Sequence, residues 1–174
     1  NLLKQKKFTN LIFLNYSPKL EKFLFWCQQL IAESLGKNKF GLLPVISNAP
    51  KDHHSLLQLY LDGPRDKLFY IFSLEKKFGK KINTIKFSKK LKFLNNKSIE
   101  KIKNAQRKGL IKALLNNKIP FREFKIKKFD EETLGELFTY FMLETAIIGK
   151  LTKINPFNQP AVEQVKILTK KELI

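Results

Sequence analysis

A chain of 174 residues that is 43% hydrophobic and holds 16 phenylalanines has apolar mass for one buried core, which excludes the disordered class. Its formal charge of +19 suits an anionic partner. Yet Arg65, Arg107 and Arg122 are the only arginines among 34 basic residues, and the lysine excess accompanies the Asn, Ile and Phe that A/T-rich codons also supply, so nucleic acid is not expected as a partner.

Residues 9–16 are apolar and β-prone, and Ser17-Pro18 then supplies an N-cap with proline at N1. The spacing of Leu20, Phe23, Leu24, Cys27, Leu30 and Ile31 predicts a helix from Pro18 to about Leu35, closed by Gly36 as a C′ residue. Residues 42–47 read as a buried strand, followed by a helix from about Asp52 to Leu61 that ends at Asp62-Gly63-Pro64. Residues 67–74 are a third strand. The lysine-rich stretch 75–97 is irregular, a solvated loop with a short strand at Thr84–Phe87.

Ser98 caps a helix to about Asn116, with Ile99, Ile102, Leu110 and Leu114 on its apolar side. Phe121 to Lys128 is a fourth strand. Asp130 caps a long helix whose first acids, Glu131 and Glu132, suit its positive end. Its stripe is Leu134, Leu137, Phe138, Phe141, Met142 and Ile148, and Pro160 opens a last helix to about Leu173.

Alternating strands and helices with short connections define an α/β fold, a three-layer α/β/α sandwich with a mainly parallel sheet plus C-terminal helices. The expected division is an α/β domain over 1–130 and a helical tail over 131–174 that packs on the same domain. No run nears the ~18 uninterrupted apolar residues of a membrane span, and the basic start Asn1–Phe8 lacks the apolar region of a signal peptide. A start at Asn rather than Met is expected of a fragment. The single cysteine, Cys27, forms no internal disulfide, and a reducing, cytoplasmic location is expected.

Three clusters carry residues suited to chemistry. Gln29 and Glu33 are four apart and share one helical face, where an amide can orient a hydroxylated ligand while the carboxylate takes a proton. An exposed polar face gives the same spacing. Asp52-His53-His54 follows a strand and opens a helix, where ligands gather in parallel α/β sheets. Adjacent histidines diverge by about 100° on a helix, so a shared metal is not expected, and capping or packing serves each as well. Gln159 and Lys166, seven apart, share a face of the last helix, whose N-terminus suits anions; a helix start with a solvated lysine is the plainer alternative. No GxxxxGK[ST], GxGxxG or GxSxG motif is present, and Cys27 sits on an apolar stripe, so nucleophilic catalysis has no candidate.

Taken in order, QQLIAESLGK at 28–37, DHHSLLQLYLDGPRDK at 52–67 and PFNQPAVEQVK at 156–166 resemble the C-terminal portion of the glucose-6-phosphate isomerase family, most weakly over 75–130. That resemblance implies a sugar-isomerase (SIS) type α/β/α domain, a sugar-phosphate substrate in glycolysis and gluconeogenesis, and no metal or organic cofactor. It implies Glu33 as catalytic base, His54 in ring opening, Lys166 as the tail lysine of the active site, and Gln29 and Gln159 in substrate binding. It also implies a homodimer in which the histidine enters the partner's site.

Ring opening needs groups that exchange protons near neutral pH, and isomerisation needs a carboxylate that moves a proton between C2 and C1 through a cis-enediol. Ala161 and Val165 depart from glycines common in the family. The family's Ser/Lys/Thr-rich phosphate loop and active-site arginine are not found, so the chain alone is expected to be nearly inactive. A non-catalytic sugar-phosphate-binding SIS module is the competing expectation.

Overall fold

A computed structural model describes residues 8–75, 79–84 and 89–174. Among these described residues, six strands and six helices follow in the order β1 (Asn10–Asn15), α1 (Glu21–Leu35), β2 (Leu43–Asn48), α2 (Lys51–Ser55), α3 (Leu57–Asp62), β3 (Lys67–Leu74), β4 (Lys81–Ile82), β5 (Lys97–Ser98), α4 (Ile99–Asn116), β6 (Phe121–Ile126), α5 (Glu131–Thr152) and α6 (Pro160–Glu172). Four strands form one sheet in the order β2-β1-β3-β6, and every pairing in it is parallel. β1 and β3 are central and read as near-continuous apolar runs, as strands covered on both faces must. β2 lies at an edge, where Pro44 removes no internal ladder bond.

Alternate residues of the strands divide the core in two. Leu11, Phe13, Tyr70 and Phe72 face α1 and α5, and meet Phe23, Leu24, Cys27, Ile31 and Phe141. Ile12, Leu14, Phe69 and Ile71 face the other way, toward Tyr60 of α3 and Leu110 and Leu114 of α4. The result is three layers, α1/α5, sheet, α3/α4, as the strand and helix alternation predicts. Phe13, Phe69, Phe72 and Phe141 are fully buried, each worth roughly 1.5–3 kcal/mol by removal from water. Phe72 and Phe124 stack at 4.6 Å, and Trp26 meets Phe138 edge-on at 4.5 Å, joining α1, α5 and the sheet through aromatic rings.

Local signals act where their partners are close in sequence. Ser98 Oγ accepts from the Lys101 amide at 3.2 Å, and Asp130 Oδ1 accepts from the Thr133 amide at 3.0 Å, both caps as expected. Ser17 departs from expectation: the helical segment starts with a 3-10 turn at Pro18–Leu20, and the Ser17 hydroxyl makes no capping bond. Pro18 offers no N–H, and the Leu20 amide bonds the Ser17 carbonyl instead.

Gly36 ends α1 with φ −76°, outside the left-handed conformation expected of a C′ glycine. The helix expected at Asp52–Leu61 is two, α2 and α3, broken at Leu56. Ile99 and Met142, expected on apolar faces, are about half exposed, since the sheet covers a narrower stripe than the periodicity allows. The stretch expected to be irregular holds a short antiparallel β4–β5 ladder and a 3-10 turn at Lys89–Leu94. The strand expected at Thr84–Phe87 falls mostly outside the described residues, and Thr84 itself is in no strand. Among the described residues no helix is long and apolar enough to cross a membrane.

Candidate active site

α1 leaves the carboxyl end of β1 and packs back along the sheet, so its last turn, with Glu33, lies beside the amino ends of the strands. Gln29, one turn earlier, donates its amide to Glu33 Oε1 at 3.2 Å. The second carboxylate oxygen is met from the far end of the chain, where Gln159 Nε2 donates to Glu33 Oε2 at 2.8 Å. Two neutral amides thus hold one carboxylate, and Glu33 itself is half-buried.

The chain segment that delivers Gln159 is shaped by the end of α5. Lys153 adopts a left-handed φ of 60°, and the Ile154 amide bonds back to the Gly149 carbonyl at 2.9 Å, closing the helix in the 6→1 manner. Gly149 permits the fold-back, because a Cβ there would stand 3.0 Å from the Ile154 carbonyl oxygen and 3.2 Å from Pro156. Lys37, just past α1, donates its ammonium to the Asn155 carbonyl at 2.6 Å, and the Asn155 side chain accepts from the Phe157 amide. Lys37 belongs to the 28–37 motif, but nothing in the sequence marked it as the clamp on the tail. Gln159 stands at the N-cap of α6 without capping it; its side chain is committed to Glu33.

The other two expected catalytic residues lie elsewhere. Lys166 is exposed on α6, its ammonium paired with Glu163 at 2.6 Å one turn back. His54 is exposed on α2, six residues beyond the carboxyl end of β2. β1 and β2, the strands on either side of α1 in sequence, are six residues long, so Glu33 and His54 are separated by about a strand length, ~20 Å. The two histidines divide their work. His53 shares a 2.6 Å hydrogen bond with the Tyr16 hydroxyl and packs edge-on to its ring, and burial lowers its imidazole below the usual value against the opposing pull of Asp52. No hydrogen bond or ion pair engages His54 among the described residues. Asp52 anchors α2, accepting from the Asn48 amide at 2.8 Å and the Ser47 hydroxyl at 3.0 Å. Cys27 is fully buried, its thiol pushed up by burial and by the nearby Glu144, which keeps it out of nucleophilic chemistry.

The fold defines a class: a three-layer α/β/α domain on an all-parallel four-stranded sheet. No protein-family profile matches the chain. Its sequence is 36% identical over 161 residues to the glucose-6-phosphate isomerase of Methanocaldococcus jannaschii, covering 89% of this chain and 38% of that protein. It is 37% identical over 169 residues to the glucose-6-phosphate isomerase of Mycoplasmopsis synoviae, covering 95% and 39%.

A hypothetical protein from Thermus thermophilus superposes with TM-score 0.87 at 29% identity, over 99% of this chain and 43% of that one. The fold is shared too with a glucose-6-phosphate isomerase from Chlamydia trachomatis, TM-score 0.68 at 18% identity, over 95% and 34%. The chain is similar in sequence to glucose-6-phosphate isomerases, and it spans well under half the length of the curated proteins it matches.

Proposed function

We propose that this chain supplies the proton-transferring part of a glucose-6-phosphate isomerase, an aldose-ketose isomerase acting on glucose 6-phosphate and fructose 6-phosphate. The observation that supports it is the contact of Gln159 with Glu33, which joins the first and last sequence motifs on one carboxylate. In this reading Glu33 removes the proton from C2 of the open-chain aldose as O1 takes up a proton, giving the cis-enediol, and returns it to C1 as O2 releases its proton, giving the ketose. Gln29 and Gln159 fix the two carboxylate oxygens, and their remaining hydrogen-bonding atoms meet substrate hydroxyls.

His54 and Lys166 exchange protons between the ring oxygen and the anomeric hydroxyl to open the sugar. Lys166 gives up a solvent-exposed ion pair to do so, at a cost of no more than ~1 kcal/mol. One chain does not unite Glu33 with His54 across the length of the sheet. A second copy presenting its His54 beside Glu33 does, which makes the active unit a homodimer with shared sites. The phosphate is held by the portion of the enzyme that the chain does not match, so the chain alone is proposed to turn over little substrate.

The test is fructose 6-phosphate turnover by the full-length enzyme, wild type against Glu33→Gln. Loss of a general base is expected to lower kcat by about 10²–10⁴-fold. Undiminished turnover would remove Glu33 as the base, whereas absence of turnover by the wild type would favour a non-catalytic sugar-phosphate-binding module.

A further inference from the structure

The sheet order places the point where the chain reverses its direction of winding between β1 and β3: the chain adds β2 on one side of β1, then crosses to place β3 on the other. Parallel sheets open a crevice at such a point, beyond the carboxyl ends of the strands. Here that crevice is a cavity of about 300 Å³, lined by Tyr16 and Ser17 after β1, Ser73 and Glu75 at the end of β3, and Lys103 and Arg107 of α4. It is a separate place from the Glu33 carboxylate, which sits at the amino end of the sheet, ~20 Å away by strand length.

The groups around this cavity are left with bonding capacity. Ser17 is buried, stands at a helix start without capping it, and its hydroxyl has no hydrogen-bond partner among the described residues. A buried hydroxyl left unpaired is destabilising, and a bound hydroxylated ligand relieves that. Ser73, also buried, offers a second hydroxyl. Two carboxylates, Glu75 and Glu100, and two cations, Lys103 and Arg107, line the cavity; Glu100 accepts from the Gly79 amide, and Arg107 is already committed to Glu123 and to Asn104 Oδ1 at 2.7 Å. A walled pocket with donors and acceptors of both signs and little net charge matches the alternating hydroxyls of a polyol rather than a bare anion.

We infer that the crevice between β1 and β3 is a second ligand site, which takes a small polyhydroxylated ligand of hexose size, the Ser17 and Ser73 hydroxyls and Lys103 bonding its hydroxyl groups. Free sugar and sugar phosphate share this chemistry. The cavity is at the small end of ligand pockets, so one monosaccharide fills it. The site does not depend on the isomerase proposal, because it shares no residue with the Glu33 cluster.

The experiment is a titration of the isotope-labelled chain with D-glucose, D-fructose 6-phosphate and inorganic phosphate, read by amide chemical shifts. Either or both sugars are expected to move the signals of Ser17, Ser73 and Asn104, and phosphate alone is not. Ser17→Val, which fills the cavity and removes the hydroxyl, is expected to weaken that binding about tenfold or more. Lys103→Met gives an independent measure should Ser17→Val fold poorly. Glu33→Gln is expected to leave these shifts and their midpoint unchanged. The inference is overturned if neither sugar moves the crevice signals, if inorganic phosphate reproduces the shifts, or if every folded crevice variant binds as wild type does. Sugar binding confined to signals near Glu33 and Gln159 would likewise overturn it while leaving the isomerase proposal standing.

Discussion

The amide of Gln159 reaches the carboxylate of Glu33 at 2.8 Å across 126 positions of sequence. A helix face prepared by Gln29 and Glu33 is thereby completed only when the end of α5 turns the chain back across α1.

That relationship sets a graded expectation. Gln159→Leu in the full-length enzyme leaves the proposed base, Glu33, in place but held by Gln29 alone, so kcat is expected to fall by about tenfold, less than for Glu33→Gln. Gln159 is exposed, and the variant's unfolding free energy should stay within about 0.5 kcal/mol of wild type in urea. A loss as large as that of Glu33→Gln would mean that the contact of Gln159 with the substrate, and not its hold on the carboxylate, carries its role.

The buried ion pair between Arg107 of α4 and Glu123 of β6 fixes the far helix layer to the sheet edge. Both side chains are largely shielded, and Lys125 contacts the other Glu123 oxygen at 3.2 Å. Arg107→Leu is expected to cost about 3–5 kcal/mol, toward the lower figure because Lys125 partly compensates the carboxylate left behind. The double variant Arg107→Leu/Glu123→Leu should recover most of that loss. Urea denaturation of both variants measures it, and equal instability of the single and double variants would contradict the argument.

His53 makes stability depend on pH with a defined sign. Burial holds its imidazole below the ordinary value of about 6.5, so the unfolded chain binds the proton more readily than the folded one. The stabilisation is fully present above about pH 6.5 and is lost as pH falls through the folded value. Thermal unfolding at a series of pH values should show the melting temperature declining through this window in wild type and declining less in His53→Leu. A slope of the opposite sign would show that the Asp52 charge outweighs burial.

Cys27 is fully buried against Phe23, Leu24 and Ile31 with its thiol pushed up. A thiol-specific reagent at mildly alkaline pH is expected to leave the native chain unlabelled and to react at once in denaturant. The native labelling rate then reports global unfolding, and fast labelling under native conditions would contradict the packing of α1.

Much of the fold was legible in sequence because its causes are short-ranged. The caps at Ser98 and Asp130 need only a side-chain oxygen three residues before an amide, and β3 occupies the very residues its apolar run predicts. The break at Leu56 and the exposure of Ile99 and Met142 were not legible, because a helical period says that a face is apolar but not how wide a stripe the docking angle covers. Ser17 shows the same limit: its sequence is that of an N-cap, yet Pro18 and the 3-10 turn free its hydroxyl for the crevice.

By itself, then, the sequence determined the strand and helix alternation, the parallel three-layer architecture, and the motifs that tie the chain to the isomerase relatives. These follow from periodicity and from residue types acting within a few positions of one another. Tertiary structure alone decided that Glu33, Gln29 and Gln159 meet at the amino end of the sheet while His54 stands at the carboxyl end. The direction in which a helix returns along a parallel sheet, and the left-handed turn at Lys153 that swings the tail across it, set distances that no spacing along the chain encodes.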